Sequence, residues 1–154
     1  MALQQSPGRI AGIDYGTVRM GIAITDPART LASPLQQYNV GDEQANKRYF
    51  QKLVKEEAVK LFVVGLPIHL SGEESQKSHE AREFAKWLGE VTNVPVELFD
   101  ERFTSAEAEQ ALLSGELTNK QRKKRRDMLA AQFMLAGYLE AQRGREGTTE
   151  SIDD

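Results

Sequence analysis

Three acidic residues stand at places where a carboxylate is costly to keep. Asp14 closes the apolar run Arg9-Ile10-Ala11-Gly12-Ile13, Glu101 follows the run Pro95–Phe99, and Asp127 opens an amphipathic segment. Alternation along the first run puts Asp14 on the same face as Ile10 and Gly12. Steps of four, three and four from Asp127 reach Ala131, Met134 and Tyr138, so it lies on the packed face of its helix. A charge near a core must be paired, hydrogen-bonded or bound to a metal. Taken singly, each acid has an ordinary reading. Asp14 can cap the turn at Tyr15-Gly16, Glu101 can pair with Arg102, and Asp127 can be an anion favoured near a helix N-terminus. Brought together they repel one another, and protonation or a divalent cation relieves the repulsion. Oxygen-only donors, in a chain with no cysteine and with His69 and His79 outside any ligand spacing, favour Mg²⁺ or Mn²⁺ over zinc. Such a site can hold two ions about 3.5–4 Å apart, activating water and stabilising the leaving oxygen of a phosphodiester.

Immediately before Asp127 comes a run of cations: Lys120, Arg122, Lys123, Lys124, Arg125 and Arg126. Charge runs are ordinarily solvated helix entries. Beside a cluster of acids, the same run has the layout of a nuclease, with cations holding the phosphate backbone and acids cutting it. Arg19 and Arg102, near the expected site, add phosphate contacts. The net charge of −3 does not oppose this. Residues 144–154 set Arg145 against Glu146, Glu150, Asp153 and Asp154, which accounts for the whole of it and leaves the body neutral.

The elements that must position these groups follow from periodicity. Residues 1–8 read as a flexible leader, residues 9–143 as a single domain and residues 144–154 as a disordered acidic tail. Runs Ile10–Ile13 and Met20–Ile24 around Gly16 and Thr17 predict an antiparallel hairpin. Thr30–Asn39, interrupted by Pro34, predicts a third strand at a sheet edge. Asp42 caps a helix with Ala45, Tyr49, Phe50, Leu53 and Val54 at helical spacing. Leu61–Gly65 reads as a strand covered on both faces, ending in a Gly65-Leu66-Pro67 loop. Ser71-Gly72-Glu73-Glu74 reads as a capping box for a helix that buries Ala81, Phe84, Ala85 and Leu88. After the strand at Pro95–Phe99, a second capping box at Thr104–Glu107 opens a helix to about Leu113, closed by Gly115, and the last helix spans about Lys124–Arg143. This order predicts an α/β fold: a five-stranded mixed sheet, three antiparallel strands and then parallel ones, flanked by helices. Ligands gather at the C-terminal ends of parallel strands, which brings Asp14 and Glu101 to one edge.

Four stretches together resemble the YqgF (RuvX) family of bacterial proteins. They are Gly12–Ala23, Val63–Pro67, Asp100–Ala108 and Lys124–Ala131, in order, within a likeness covering about residues 8–143. The resemblance implies a ribonuclease H-like fold, with Asp14, Glu101 and Asp127 as catalytic, metal-holding acids. The family is described both as a Holliday-junction resolvase and as the nuclease that finishes the 5′ end of the small-subunit (pre-16S) ribosomal RNA precursor. It implies a cytoplasmic protein working with ribosomal precursor particles.

Two other classes compete. Asp14-Tyr15-Gly16-Thr17 also resembles the phosphate loop of actin- and sugar-kinase-like ATPases, but these enclose a nucleotide between two such domains and 154 residues supply one. A non-catalytic RNA-binding module would bind without cutting. No apolar run is long enough for a membrane span, and the first residues lack the pattern of a signal peptide. The helical stripes at 42–58, 74–90 and 124–143 are each used up by packing on the sheet, so a monomer is expected. A monomer favours one cut in RNA over paired cuts in junction DNA.

Overall fold

The computed structural model describes residues 6–68, 71–101 and 119–153, with side chains for 6–68, 71–101 and 128–145. Within them the order is β1 (Arg9–Asp14), β2 (Arg19–Thr25), β3 (Ala32–Asn39), α1 (Glu43–Glu57), β4 (Val59–Leu66), α2 (Gln76–Thr92), β5 (Val96–Asp100) and α3 (Asn119–Asp153). The strands form one sheet in the order β3-β2-β1-β4-β5. β1 pairs with β2, and β2 with β3, antiparallel; β1 pairs with β4, and β4 with β5, parallel. This is the mixed sheet expected. β3 is an edge strand, and its Pro34 sits beside a register shift opposite Ala23, where no ladder bond is lost.

Both faces of the sheet are covered, and the period-2 alternation of β1 and β4 decides which side chain goes where. Ala11, Ile13, Phe62, Val64 and Leu66 pack under Phe50 and Leu53 of α1 and Ala81, Phe84, Ala85 and Leu88 of α2. Ile10, Leu61, Val63 and Phe99 pack under Ala131, Met134, Leu135, Tyr138 and Leu139 of α3. A strand segment buried on both sides needs apolar residues at every position, which is why Ile10–Ile13 of β1 and Leu61–Leu66 of β4 read as unbroken runs. Burying Phe50 alone contributes about 3–5 kcal/mol by the cost of truncating such a residue.

Local signals set the helix ends. Asp42 accepts the Ala45 N–H at 2.8 Å and caps α1, which stops at Ala58 in the left-handed conformation. The capping box of α2 is not at Ser71–Glu74. Ser75 is the cap, exchanging hydrogen bonds with Ser78. Glu74 is drawn elsewhere, bridged to Ile68 through the backbone and ion-paired with Arg82. A serine three residues on completes the box as a glutamate would, so spacing alone could not choose between the two serines.

α3 begins before Lys124 and ends after Arg143, and residues 144–153, expected to lack regular structure, carry helical backbone. Apolar periodicity reports only the stretch that touches the sheet, Ala131–Leu139, and polar helix ends send no such signal. The helix expected at 104–113 and its closing Gly115 lie outside the described residues.

α3 runs opposite to β1. Ile10 lies by Tyr138 and Leu139, and a Cβ on Gly12 would stand 3.0 Å from Leu135 Cβ. Two strand residues and one helical turn advance by similar lengths, so Asp14 faces the turn at Ala131. The backbone of Asp127 is one turn further, at the end of the sheet where β1 finishes.

Candidate active site

Three neighbouring parallel strands present one row toward α3. On β1 the row is Ile10, Gly12, Asp14; on β4 it is Leu61, Val63, Gly65; on β5 it is Glu97, Phe99 and then Glu101 just past the strand end. Ile13 is level with Val64 and Gly65 with Phe99, so Asp14 and Glu101 flank Gly65 at the C-terminal edge. The two carboxyl groups are hydrogen-bonded to each other across β4. Glu101 reaches over because Gly65 has no side chain: a Cβ there would collide with the Glu101 carboxylate and come within 3.1 Å of its Cγ.

The Glu101 carboxyl is pushed up from its usual 4.5 to about 8. Burial is the main cause, followed by the charge of Asp14, the hydrogen bond to it and the charge of Asp100, while Lys77 pulls the other way. At neutral pH the pair therefore shares a proton, which is how facing carboxylates relieve repulsion when no cation lies between them. The pair lines a cleft of about 430 Å³ with the hairpin turn Tyr15–Val18, Arg19, Pro67, Lys77 and Glu80. Its donor set fits a hard divalent cation: two carboxylates in contact, and no histidine or cysteine among the described lining residues. Among the described residues no group of three or more such donors gathers.

Of the residues expected from sequence, the structure thus brings together Asp14, Glu101 and Arg19. Lys120, Arg122, Lys123, Lys124, Arg125, Arg126 and Asp127 fall on the helical backbone of α3, with side chains outside the described residues, and Arg102 lies outside them altogether. His79 is exposed on α2. Three contributors were missed. Lys77 and Glu80 reach the cleft from the first turns of α2, just ahead of the buried stripe that begins at Ala81, where polar positions carry no periodic signal. Gly65, expected to start a loop, lies within β4, which continues through Leu66.

A sheet in this order, covered on both faces and carrying acids at the ends of β1 and β5 on either side of β4, defines a ribonuclease H-like domain. Thermus thermophilus RuvC has this fold. Its structure with a Holliday junction substrate superposes with a TM-score of 0.55 at 17% identity, over 89% of this chain and 96% of that one. A second structure of the same protein gives 0.51. The family model described as RuvX, Holliday junction resolvase, matches residues 8–141, and the chain belongs to that family. A protein of Rhodopirellula baltica, named as a candidate pre-16S rRNA nuclease, is 48% identical over 157 residues, covering 96% of this chain and 91% of its own. A Koribacter versatilis protein of the same name is 38% identical, covering 86% and 87%. The family's chemistry is that of nucleases, the hydrolysis of phosphodiester bonds.

Proposed function

We propose that this protein is a metal-dependent endonuclease that processes the 5′ end of the pre-16S ribosomal RNA precursor. The observation that carries the reading is the Asp14–Glu101 carboxyl pair, held over Gly65 at the end of the parallel strands. Asp14 and Glu101, with Asp127 from α3, would hold one or two Mg²⁺ or Mn²⁺ ions. Bound there, such ions supply an activated water and a stabilised leaving oxygen. Arg19 and Lys77 hold the phosphate backbone within the cleft, and Lys120, Arg122 and Lys123–Arg126 of α3, together with Arg102, extend the hold. Glu101 would hold the shared proton at neutral pH, so the pair carries one negative charge rather than two. The names of the relatives from Rhodopirellula baltica and Koribacter versatilis support the ribosomal precursor as substrate. Residues 9–143 form the nuclease domain, working in the cytoplasm on precursor particles.

The description of the family supports a second reading, junction resolution. Paired symmetric cuts need two sites on a two-fold dimer. Among the described residues the exposed large apolar side chains are Val18, Leu31 and Leu98. They sit at the hairpin turn, before one edge strand and on the other, and form no common stripe, which supports a monomer. Labelled precursor RNA and a four-way DNA junction, incubated side by side with Mg²⁺ or Mn²⁺, test both. Cleavage of the RNA alone, lost in Asp14→Asn, Glu101→Gln and Asp127→Asn with strand binding retained, is expected. Full activity of Asp14→Asn would remove the site assignment.

A further inference from the structure

A second cavity, of about 450 Å³, opens beside the cleft on the α1–α2 side of the hairpin turn. The two share Tyr15, Gly16, Thr17 and Glu80, so a strand lying in the cleft passes its mouth. Its wall is a row of rings. Tyr15 and Phe84 have centroids 4.9 Å apart with planes tilted by 35°, and Phe84 and Trp87 are 5.8 Å apart with a tilt of 33°. Three carboxylates, Glu43, Glu80 and Glu83, line it too, beside the exposed His79 and an Asn46 whose amide is already bonded to Tyr38 and Gly41. The nuclease chemistry above uses none of the rings, and Glu43 and Glu83 stand outside its cleft.

We infer that this cavity takes one guanine base of the substrate strand, stacked on the rings with its N1–H and 2-amino group donating to a lining carboxylate. The inference rests on the nuclease reading. Aromatic side chains are the usual platform for unstacked bases of single strands, and the volume is within the range of small-ligand pockets. The acids decide which base. Guanine alone presents two adjacent donors, which match the two oxygens of a carboxylate. Adenine and cytosine set an amino group beside a ring acceptor, and uracil sets its one N–H between two carbonyls, so each turns a lone pair toward the carboxylate. Glu43 and Glu83, outside the cleft, repel phosphate, whereas Arg19 and Lys77 attract it in the cleft. The strand is thereby oriented, backbone toward the cations and base toward the carboxylates. An arginine side chain from a basic protein would also suit rings and acids, but continuity with the cleft favours the base.

Trp87 is the chain's single tryptophan, so its fluorescence reports on the cavity directly. Ten-nucleotide uridine strands carrying one central guanine, inosine, adenine or cytosine are titrated against the full chain with a chelator present to prevent cutting. Dye anisotropy reports strand binding, and Trp87 emission reports entry of the base. The guanine strand is expected to quench Trp87 and to bind about tenfold more tightly than all-uridine. Inosine, lacking the 2-amino group, should lose most of that gain, and adenine and cytosine all of it. At least one of Glu43→Gln, Glu80→Gln and Glu83→Gln, each checked for native circular dichroism, should erase the preference. Strands that bind without base preference and leave Trp87 unquenched would overturn the inference while sparing the nuclease reading. Failure of every strand to bind would remove the nuclease reading and this one with it. Quenching by an arginine-rich peptide that the guanine strand does not displace would assign the cavity to a protein partner and overturn it.

Discussion

Gly65 lies beneath the carboxylate of Glu101, and the missing side chain on β4 is what lets that carboxylate cross to Asp14. The atom that a methyl group at position 65 would strike is the far end of a flexible side chain. Gly65→Ala should therefore fold nearly as well as wild type, with Glu101 swung off Asp14. A loss of about 10–100-fold in divalent-ion affinity or cleavage is expected, the usual cost of disturbing what orients a ligand. Isothermal titration with Mn²⁺, alongside a thermal melt, separates the two effects. Unchanged Mn²⁺ affinity in a folded variant would show that the crossing is not needed.

The raised Glu101 carboxyl ties stability to pH. Without a divalent ion, the folded protein keeps at this site a proton that the unfolded chain gives up between pH 4.5 and about 8. The stabilising contribution is complete below pH 4.5 and is lost as pH rises through about 8. In chelator the thermal midpoint should fall over that window, and Glu101→Gln should flatten the slope and be the more stable at its upper end. Mg²⁺ selects the charged pair, so its stabilising effect should grow with pH, with proton release on binding. A thermal midpoint that rises through the window only in proteins retaining Glu101 would contradict the shared proton.

The cations of α3 are assigned to the phosphate backbone rather than to bases. Replacing Lys123, Lys124, Arg125 and Arg126 by Gln should weaken all single strands alike. The plot of log affinity against log salt should become shallower by about 0.7 for each lost contact. Fluorescence anisotropy across a salt series measures it, and an unchanged slope would mean that these residues face solvent.

Gly12 sets how closely α3 approaches the sheet. A Cβ there meets Leu135 side-chain carbons at 3.0–3.3 Å, tight enough to need a shift of the neighbour. Gly12→Ala is expected to destabilise by about 1–3 kcal/mol through overpacking. Leu135→Ala alone should cost about 2–5 kcal/mol. The pair should cost less than the sum, because one change makes room for the other. Additive denaturation energies would show that the two do not press on each other.

Much of this was legible in the residues. Ile10–Ile13 and Leu61–Gly65 had to be buried on both faces, since no polar position interrupts them, and Asp14 stood out as the one charge at the end of such a run. The buried stripe of α2 followed from spacing alone, Ala81, Phe84, Ala85 and Leu88. What escaped were features that depend on a partner far along the chain. Gly65 matters because of Glu101, and Gly12 because of Leu135; neither glycine carries a local mark of it. The true cap at Ser75 was hidden by a second serine with an acceptable spacing, and the choice was made by where Glu74 found its partner. Lys77 joined the cleft through the angle at which α2 leaves its cap, which a linear pattern does not encode.

The order in which the chain is synthesised gives the cover of the second sheet face a further consequence. Ile10, Ala23, Leu61, Val63 and Phe99 are all made before any residue of α3, and Ala131–Leu139 are what finally shelter them. Contacts between β1 and α3 span more than 100 positions, so they form late and at a high entropic cost. Until α3 emerges, a growing chain thus carries a finished α1–α2 side and a bare, sticky opposite side. A chain growing on a ribosome passes through a form in which the sheet that carries Asp14 and Glu101 lacks its α3 cover.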